Sequence, residues 1–390
     1  MTKNVEAAKL LGAARELSPV LSARAADIEA GRRLPADLLA QLKQAGFFRM
    51  FAPRSHGGLE VDLSTGLEVL ETLARADGSA GWTTMLGSES PHLFSLLSRE
   101  RFDAIYSGGP DVIVAGAFNA QGQAVVEQGG YRVTGRWGFG TGCQHADWMF
   151  GNCVVLKDGK PVPGPVPGMP LTRGMFFRAS EVRILDTWNV LGLKGTGSHD
   201  IAVEGAFCPE ANSFDIFMGN SCVPGPGFIA PLAHFVVHMA AVALGIAQGA
   251  VDDTVALASS GKRRLYARTA LAESPVFQLK LGRVEMDVRA ARALLRESAN
   301  EFWAACTNDP ASVTKLAPRL SSALAWVTET AAGVVGTCYQ AGGAHSLRDG
   351  SSLQRRFRDI HTFRQHAAAA EGWFGQAGAE LLGQPTGFWT

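Results

Sequence analysis

Apolar positions recur at two different periods along this chain, and the change of period divides it into three. Leu38, Leu39, Leu42 and Ala45 fall at helical spacing, and residues 64–76 repeat the pattern. Between them the run PRSHGG at 53–58 reads as a loop. Beyond Asp111 the apolar runs shorten to strand length, at 112–117, 124–127, 131–134 and 148–156. Turn signals such as Gly129 with Gly130, and Lys157-Asp158-Gly159, separate them. Further strand-like runs follow at 174–177, 180–185 and 201–207. From about Pro226 the helical period returns. Leu281, Val284, Val288, Ala291, Leu295 and Phe302 step mostly by three, four or seven, with Arg289, Arg292 and Arg296 on other faces. Four long helical segments fit there, roughly 228–259, 272–306, 311–340 and 352–383, and their natural packing is a four-helix bundle. The expected class is therefore α+β. It comprises an N-terminal helical domain over 1–115, a central β-barrel or sandwich domain over 116–225, and a C-terminal four-helix bundle over 226–390.

Charge and cysteine usage narrow the class. The 36 basic and 36 acidic side chains cancel, so nothing favours a nucleic-acid partner or an anionic membrane surface. Six cysteines form no CxxC and match no zinc or haem spacing. They read as reduced thiols of a cytoplasmic protein. Glu6, Lys9, Arg15, Arg24 and Asp27 interrupt the N-terminus, which leaves no apolar signal core. Residues 228–251 carry no charge and are long enough to span a bilayer. Pro231, His234, His238 and Gln248 lie within that stretch, and polar groups are costly in lipid. A buried helix of the bundle is the better reading, and no membrane partner is expected.

Several glycine-rich runs invite a nucleotide reading and fail it. In GRWGFGTGCQHAD, 135–147, Cys143 stands where a dinucleotide fingerprint needs its third glycine, and no βαβ unit follows. In GLKGTGS, 192–198, Lys194 precedes the last glycines, unlike a phosphate loop. There is no GxSxG nucleophile motif. His234 and His238 are spaced like a metal pair, but no acidic residue or third ligand lies near them in sequence. They read as core, with no metal expected.

Taken in order, four segments resemble the acyl-CoA dehydrogenase superfamily across nearly the whole chain. RADGSAGW at 75–82 resembles the helix start before the substrate pocket, and VTGRWGFGTGCQHADW at 133–148 the β segment against the flavin ring. WNVLGLKGTGSHDIAVEGAFCP at 188–209 resembles the strand pair that closes the β domain. YQAGGAHSL with LQRRFRDI, within 339–360, resembles the stretch whose paired glycines, here Gly342 and Gly343, approach flavin across a subunit boundary.

Within that family the dehydrogenases place a catalytic Glu shortly after an Arg-Asp pair. Here the pair is Arg358-Asp359, the expected position falls around Ala367 beside His366, and Glu371 lies a helical turn later. This pattern is similar to the two-component flavin monooxygenases of the same fold. The resemblance implies reduced FAD or FMN delivered by a separate NAD(P)H:flavin reductase, O2 as co-substrate, a C4a-hydroperoxyflavin, a small aromatic substrate and a homotetramer. It implies His366 as the neutral donor near the peroxide and Thr141 as the hydroxyl that meets flavin N5. It also implies Phe118, Asn119, Trp137, Phe139 and Gly140 at the flavin face, and Ser90 and His92 facing substrate. The alternatives are an acyl-thioester dehydrogenase using Glu371, and a non-catalytic helical binding module that takes up no flavin.

Overall fold

The computed structural model describes residues 2–263 and 267–386. Helices α1 (Thr2–Ala23), α2 (Ala25–Gly31) and α3 (Ala36–Ala45) open the chain. α3 buries Leu38 and Leu42 and stops where Gly46 takes a left-handed conformation. Two aspartates start the next helices. Asp62 accepts the Thr65 amide at 2.8 Å to cap α4 (Leu63–Ala76), and Asp77 accepts the Ala80 amide at 2.9 Å to cap α5 (Gly78–Ser88). α6 (Ser90–Phe94) and α7 (Arg99–Tyr106) complete the helical part before the strands.

The strands are β1 (Val114–Glu127), β2 (Gly130–Gly140), β3 (Trp148–Lys157), β4 (Lys160–Pro161), β5 (Thr172–Arg178), β6 (Arg183–Leu185), β7 (His199–Pro209) and β8 (Ser213–Phe214). They form one eight-stranded mixed sheet in the order β6-β7-β2-β1-β3-β5-β8, with β4 on β3. β1 and β3 run parallel, and the remaining pairs antiparallel. Trp137 fills one face of the sheet and donates its indole N–H to the Asn152 carbonyl at 2.7 Å. Its ring needs the space that Gly151 leaves, where an added Cβ would lie 2.2 Å from it. The other face stacks Phe176 on Phe214 at 4.4 Å and meets Phe94 of α6.

α8 (Pro231–Ser259), α9 (Pro275–Asn308) and α10 (Val313–Gly342) are long, and α11 (Ser352–Phe363) and α12 (Gly372–Leu381) are short. α8 is apolar on all sides because α4, α5, α9, α10 and α11 pack around it. By length and composition alone it would cross a membrane, but here its apolar window is 89% buried. Small residues let the helices approach closely: a Cβ on Gly245 would lie 2.4 Å from the Glu71 carbonyl of α4. One hydrophobic core therefore runs through the N-terminal helices and the bundle together.

The helical segment expected over 352–383 is interrupted. After Phe363, which is buried, the chain leaves the helix and forms a short 3-10 turn at Ala367–Ala369 before α12. His366 starts that turn with extended backbone, and its Nδ1 accepts the Ala368 amide at 3.1 Å. A side-chain acceptor thus replaces the helical carbonyl that a continuous helix would need.

Asp359 of α11 ties the bundle to the sheet, accepting the Leu193 amide at 2.6 Å. Burial, with the neighbouring Asp77 charge second, pushes its carboxyl up to about 7. The folded state therefore binds this proton more tightly than the unfolded chain. The resulting stability is fully present below the ordinary value of 3.8 and is lost as pH rises through about 7. Asp359→Asn is expected to flatten the pH dependence of urea-unfolding stability across that window. Gly151→Ala is expected to cost roughly 1–3 kcal/mol by the same measurement, through overpacking against Trp137.

Candidate active site

A cavity of about 490 Å³, its open mouth included, lies where the end of β2, the start of β1, the α5–α6 junction and the first turns of α8 meet. Leu86, His92, Phe118, Thr141, Phe150 and Phe235 are among its walls, so it is apolar with few polar groups.

Thr141 sits just past β2, in a turn secured by the Gly142 amide on the Thr196 carbonyl at 2.9 Å. Its hydroxyl belongs to a buried chain whose direction can be read from one end. Thr196 Oγ1 donates to the Leu193 carbonyl at 2.8 Å, so it can only accept from Ser198, 2.8 Å away. Ser198 then accepts from Thr141 at 2.7 Å, and Thr141 accepts the Trp82 indole N–H at 3.4 Å. Thr141 Oγ1 is left with one free lone pair. It is a hydroxyl whose remaining capacity is to accept.

His366 is set up the opposite way. Its Nδ1 accepts a backbone amide, so in the neutral ring the proton is on Nε2, which has no partner among the described residues. The ring lies between Trp82, edge-on at 5.7 Å, and Phe235 at 5.8 Å. Burial pushes its pKa down from 6.5 to about 4. The ring stays neutral while still donating. Trp82 therefore joins an acceptor on the cavity wall, Thr141, to a donor, His366, which lies behind that wall against Phe235.

A third group lies on the cavity's other wall. Glu89 is buried at the α5–α6 junction, and each of its carboxylate oxygens meets an imidazole Nδ1, from His92 and from His238. Burial alone would raise this carboxyl, but the two imidazoles outweigh it and hold it well below the usual range. His238 stacks on Phe51 at 4.5 Å, and His92 stacks on His234 at 5.3 Å. The sequence places Glu89 three residues before His92 as the only charged residue between Asp77 and Arg99, which was its one local signal. Its second partner, His238, is 149 positions away, so the acidic neighbour missing from the histidine pair in sequence arrives through the fold.

Not every expected residue reaches the cavity. Trp137 is only 1% exposed and enclosed by the sheet, so its side chain does not line a flavin face. Ser90 is also misplaced by the sequence reading. Its hydroxyl donates to the Gly87 carbonyl at 2.6 Å and accepts the Val114 amide at 2.9 Å, so it fastens α6 to β1 instead of facing substrate. Phe139 is 68% exposed with φ +67°, beside Trp188, and Asn119 is exposed at the same end of the sheet. Gly140 is buried, with His199 opposite it on β7. Gly342 and Gly343 end α10, and neither lines this cavity. Glu371 is exposed at the start of α12 and is not a cavity carboxylate.

Two family profiles match the chain: acyl-CoA dehydrogenase, N-terminal domain, over residues 10–93, and acyl-CoA dehydrogenase, C-terminal domain, over 237–371. Indole-3-acetate monooxygenase of Pseudomonas putida is 31% identical, over 93% of this chain and 90% of that protein. The chain belongs to the acyl-CoA dehydrogenase family. Within that family it is a flavin-dependent monooxygenase, an oxidoreductase. The oxygenase subunit HsaA of Rhodococcus jostii, a flavin-dependent monooxygenase, is 30% identical over 90% of this chain and 92% of its own length. The structure of XiaF from Streptomyces sp. in complex with FADH2 and glycerol superimposes with a TM-score of 0.91 at 26% identity, covering 100% of this chain and 98% of that one.

The residues of this family member fit a reduced flavin. The one free lone pair on Thr141 suits the N5–H that a reduced, but not an oxidised, ring carries, and His366 offers the complementary donor. An NMR titration of the imidazoles is expected to show His366 titrating at about 4 instead of 6.5. Trp82→Phe, which removes the indole N–H, is expected to leave that value low, since its cause is burial.

Proposed function

We propose that this monooxygenase is the oxygenase component of a two-component system, inserting one oxygen of O2 into a small aromatic or heteroaromatic molecule. Reduced FAD or FMN reaches it from a separate NAD(P)H:flavin reductase. When bound, the flavin supplies the electrons that activate O2. One oxygen enters the substrate and the other leaves as water.

The observation that carries this reading is the pairing of Thr141 and His366 through Trp82. Thr141 accepts, His366 donates, and neither is charged. A carboxylate at the place of His366 would accept only, as abstraction of a substrate proton requires. The apolar wall made by Phe118, Phe150 and Phe235 suits an aromatic ring and keeps water away from the reacting atoms. The relatives point the same way in their names. One is a resorcinol hydroxylase, FADH(2)-dependent, oxygenase component, from Rhizobium sp..

His92 brings its imidazole to the cavity with Nε2 free among the described residues and Nδ1 on Glu89. It orients the oxygen or nitrogen of the substrate and takes its proton, which raises the electron density of the ring that attacks. Exposed Phe139 and Asn119 meet the flavin from the β side. Gly342 and Gly343 serve the flavin of a neighbouring subunit in a homotetramer. The protein works in the cytoplasm, consistent with its six free cysteines.

The deciding experiment mixes protein with anaerobically reduced FAD or FMN, adds O2, and follows flavin absorbance with product analysis on simple phenols and indoles. Re-oxidation slower than that of free flavin, with a hydroxylated product, is expected. Re-oxidation at the free rate with no product would overturn the reading. His366→Ala and Thr141→Ala are each expected to lower product formation roughly 10²-fold while reduced flavin is still consumed.

A further inference from the structure

The Glu89 cluster does more than hold His92, because it lies between two cavities. His92 lines the first and also a second one, of about 1070 Å³ with its open mouth included, whose walls include Phe51, Arg54, Asp62, His234, His238 and Trp303. Asp62 is exposed, so the second cavity reaches solvent. His92, which borders both cavities, has Nε2 free among the described residues and Nδ1 on one Glu89 oxygen. On the other side His238 has Nδ1 on the second Glu89 oxygen, and its Nε2 is buried with no partner. Each end of the row is thus a ring nitrogen without a partner among the described residues; the first cavity is bordered by His92 and not by His238, the second by both.

We propose that His92, Glu89 and His238 form a proton path from the substrate in the first cavity to water in the second. The proposal rests on the oxygenase reading only in taking the ligand to be a phenol or a comparable ionisable aromatic.

Atoms and charges balance along the path. A buried carboxylate needs a positive partner, and His238 as imidazolium supplies it. The phenol O–H bond breaks and its proton bonds to His92 Nε2. The Nδ1 proton of the same ring passes to Glu89. His238, no longer facing a charge, releases its Nε2 proton into the second cavity as the wall over that buried nitrogen breathes to admit water. One proton enters and one leaves, and the negative charge ends on the phenolate. Run in reverse, the same path returns a proton to the oxygen of the product.

The neighbouring groups do not divert the path. His234 stacks on His92 but turns its Nε2 to the Pro226 carbonyl at 3.2 Å. Burial, and then the adjacent imidazoles, keep it neutral. Arg54 is paired with Glu6 and also donates its backbone amide to the Glu60 carboxylate, and Asp62 caps α4. Phe51 stacks on both relay rings, at 5.5 Å from His92 and 4.5 Å from His238, and fixes their planes.

The test uses 4-nitrophenol, whose colour reports the phenolate, mixed with full-length protein by stopped flow below the phenol's own pKa. The wild type is expected to bind it as phenolate with release of a proton to the medium, slowed in D2O. His238→Gln keeps a donor toward Glu89 but cannot pass a proton on. It is expected to bind the probe with similar affinity and ionise it roughly 10²-fold more slowly. Glu89→Gln, which preserves shape, is expected to slow ionisation at least as much. Because both variants are also read by probe affinity, misfolding is distinguished from a broken path. Ionisation by His238→Gln at the wild-type rate overturns the proposal, as does a wild type that binds the phenol un-ionised. A wild type that ionises the probe through His238 yet hydroxylates no phenol supports the path and refutes the oxygenase reading instead.

Discussion

A carboxylate taken out of water must be met by donors or it destabilises the fold by several kcal/mol. Glu89 imposes that requirement at the centre of this molecule. It stands where α5 gives way to α6, and its two oxygens require a ring from α6 and a ring from α8. The demand draws His92 to the cavity wall, commits the first turns of α8 to the same wall, and leaves Phe51 stacked over both rings. The helical layer before the sheet and the bundle after it are joined here by directional bonds as well as by a shared apolar core. The cavity's polar wall is thus fixed by the same interaction that joins the two helical parts.

The opposite wall follows a different rule. The hydroxyls of Thr141, Ser198 and Thr196 form a chain whose direction is set at the Leu193 carbonyl, far from the cavity. Asp359 holds the amide of the same residue. A buried acid of the bundle thus anchors the loop that decides how a hydroxyl at the end of β2 can hydrogen-bond. His366 gains its direction just as locally, from one backbone amide.

Much of the architecture was legible in the periods of the apolar residues, since helices and strands that bury one face must repeat at 3.6 or 2. What escaped depended on irregularity or on distant pairing. Trp137 and Phe139 are two apart and would share a face of an ideal strand, yet one is buried and the other exposed. The register of β2 against β7 shifts between Trp137 and Gly140, which breaks the alternation, and no local residue announces that shift. The gap between α11 and α12 was equally silent, because its alanines are strong helix formers. Ser90 and His92 both looked like polar groups facing a pocket. Only the fold shows that a strand amide has claimed the first. The resemblance points to Thr141 and His366, but the direction of their hydrogen bonds is not in the sequence, since it is set by Ser198, Trp82 and a turn.

The break before α12 also affects how this enzyme can change over time. In an unbroken fourth helix, the height and rotation of His366 would be locked to the packing register of the whole bundle, and any lengthening or slippage there would turn the ring away from Trp82. With the ring held by its own turn, and that turn pinned by the Trp373 indole N–H on the Ala367 carbonyl at 3.0 Å, the donor depends on one residue of α12 and not on the register of the helix. Beyond Trp373 the sequence and length of α12 can drift under selection for assembly or substrate access while the chemistry beside Thr141 stays in place.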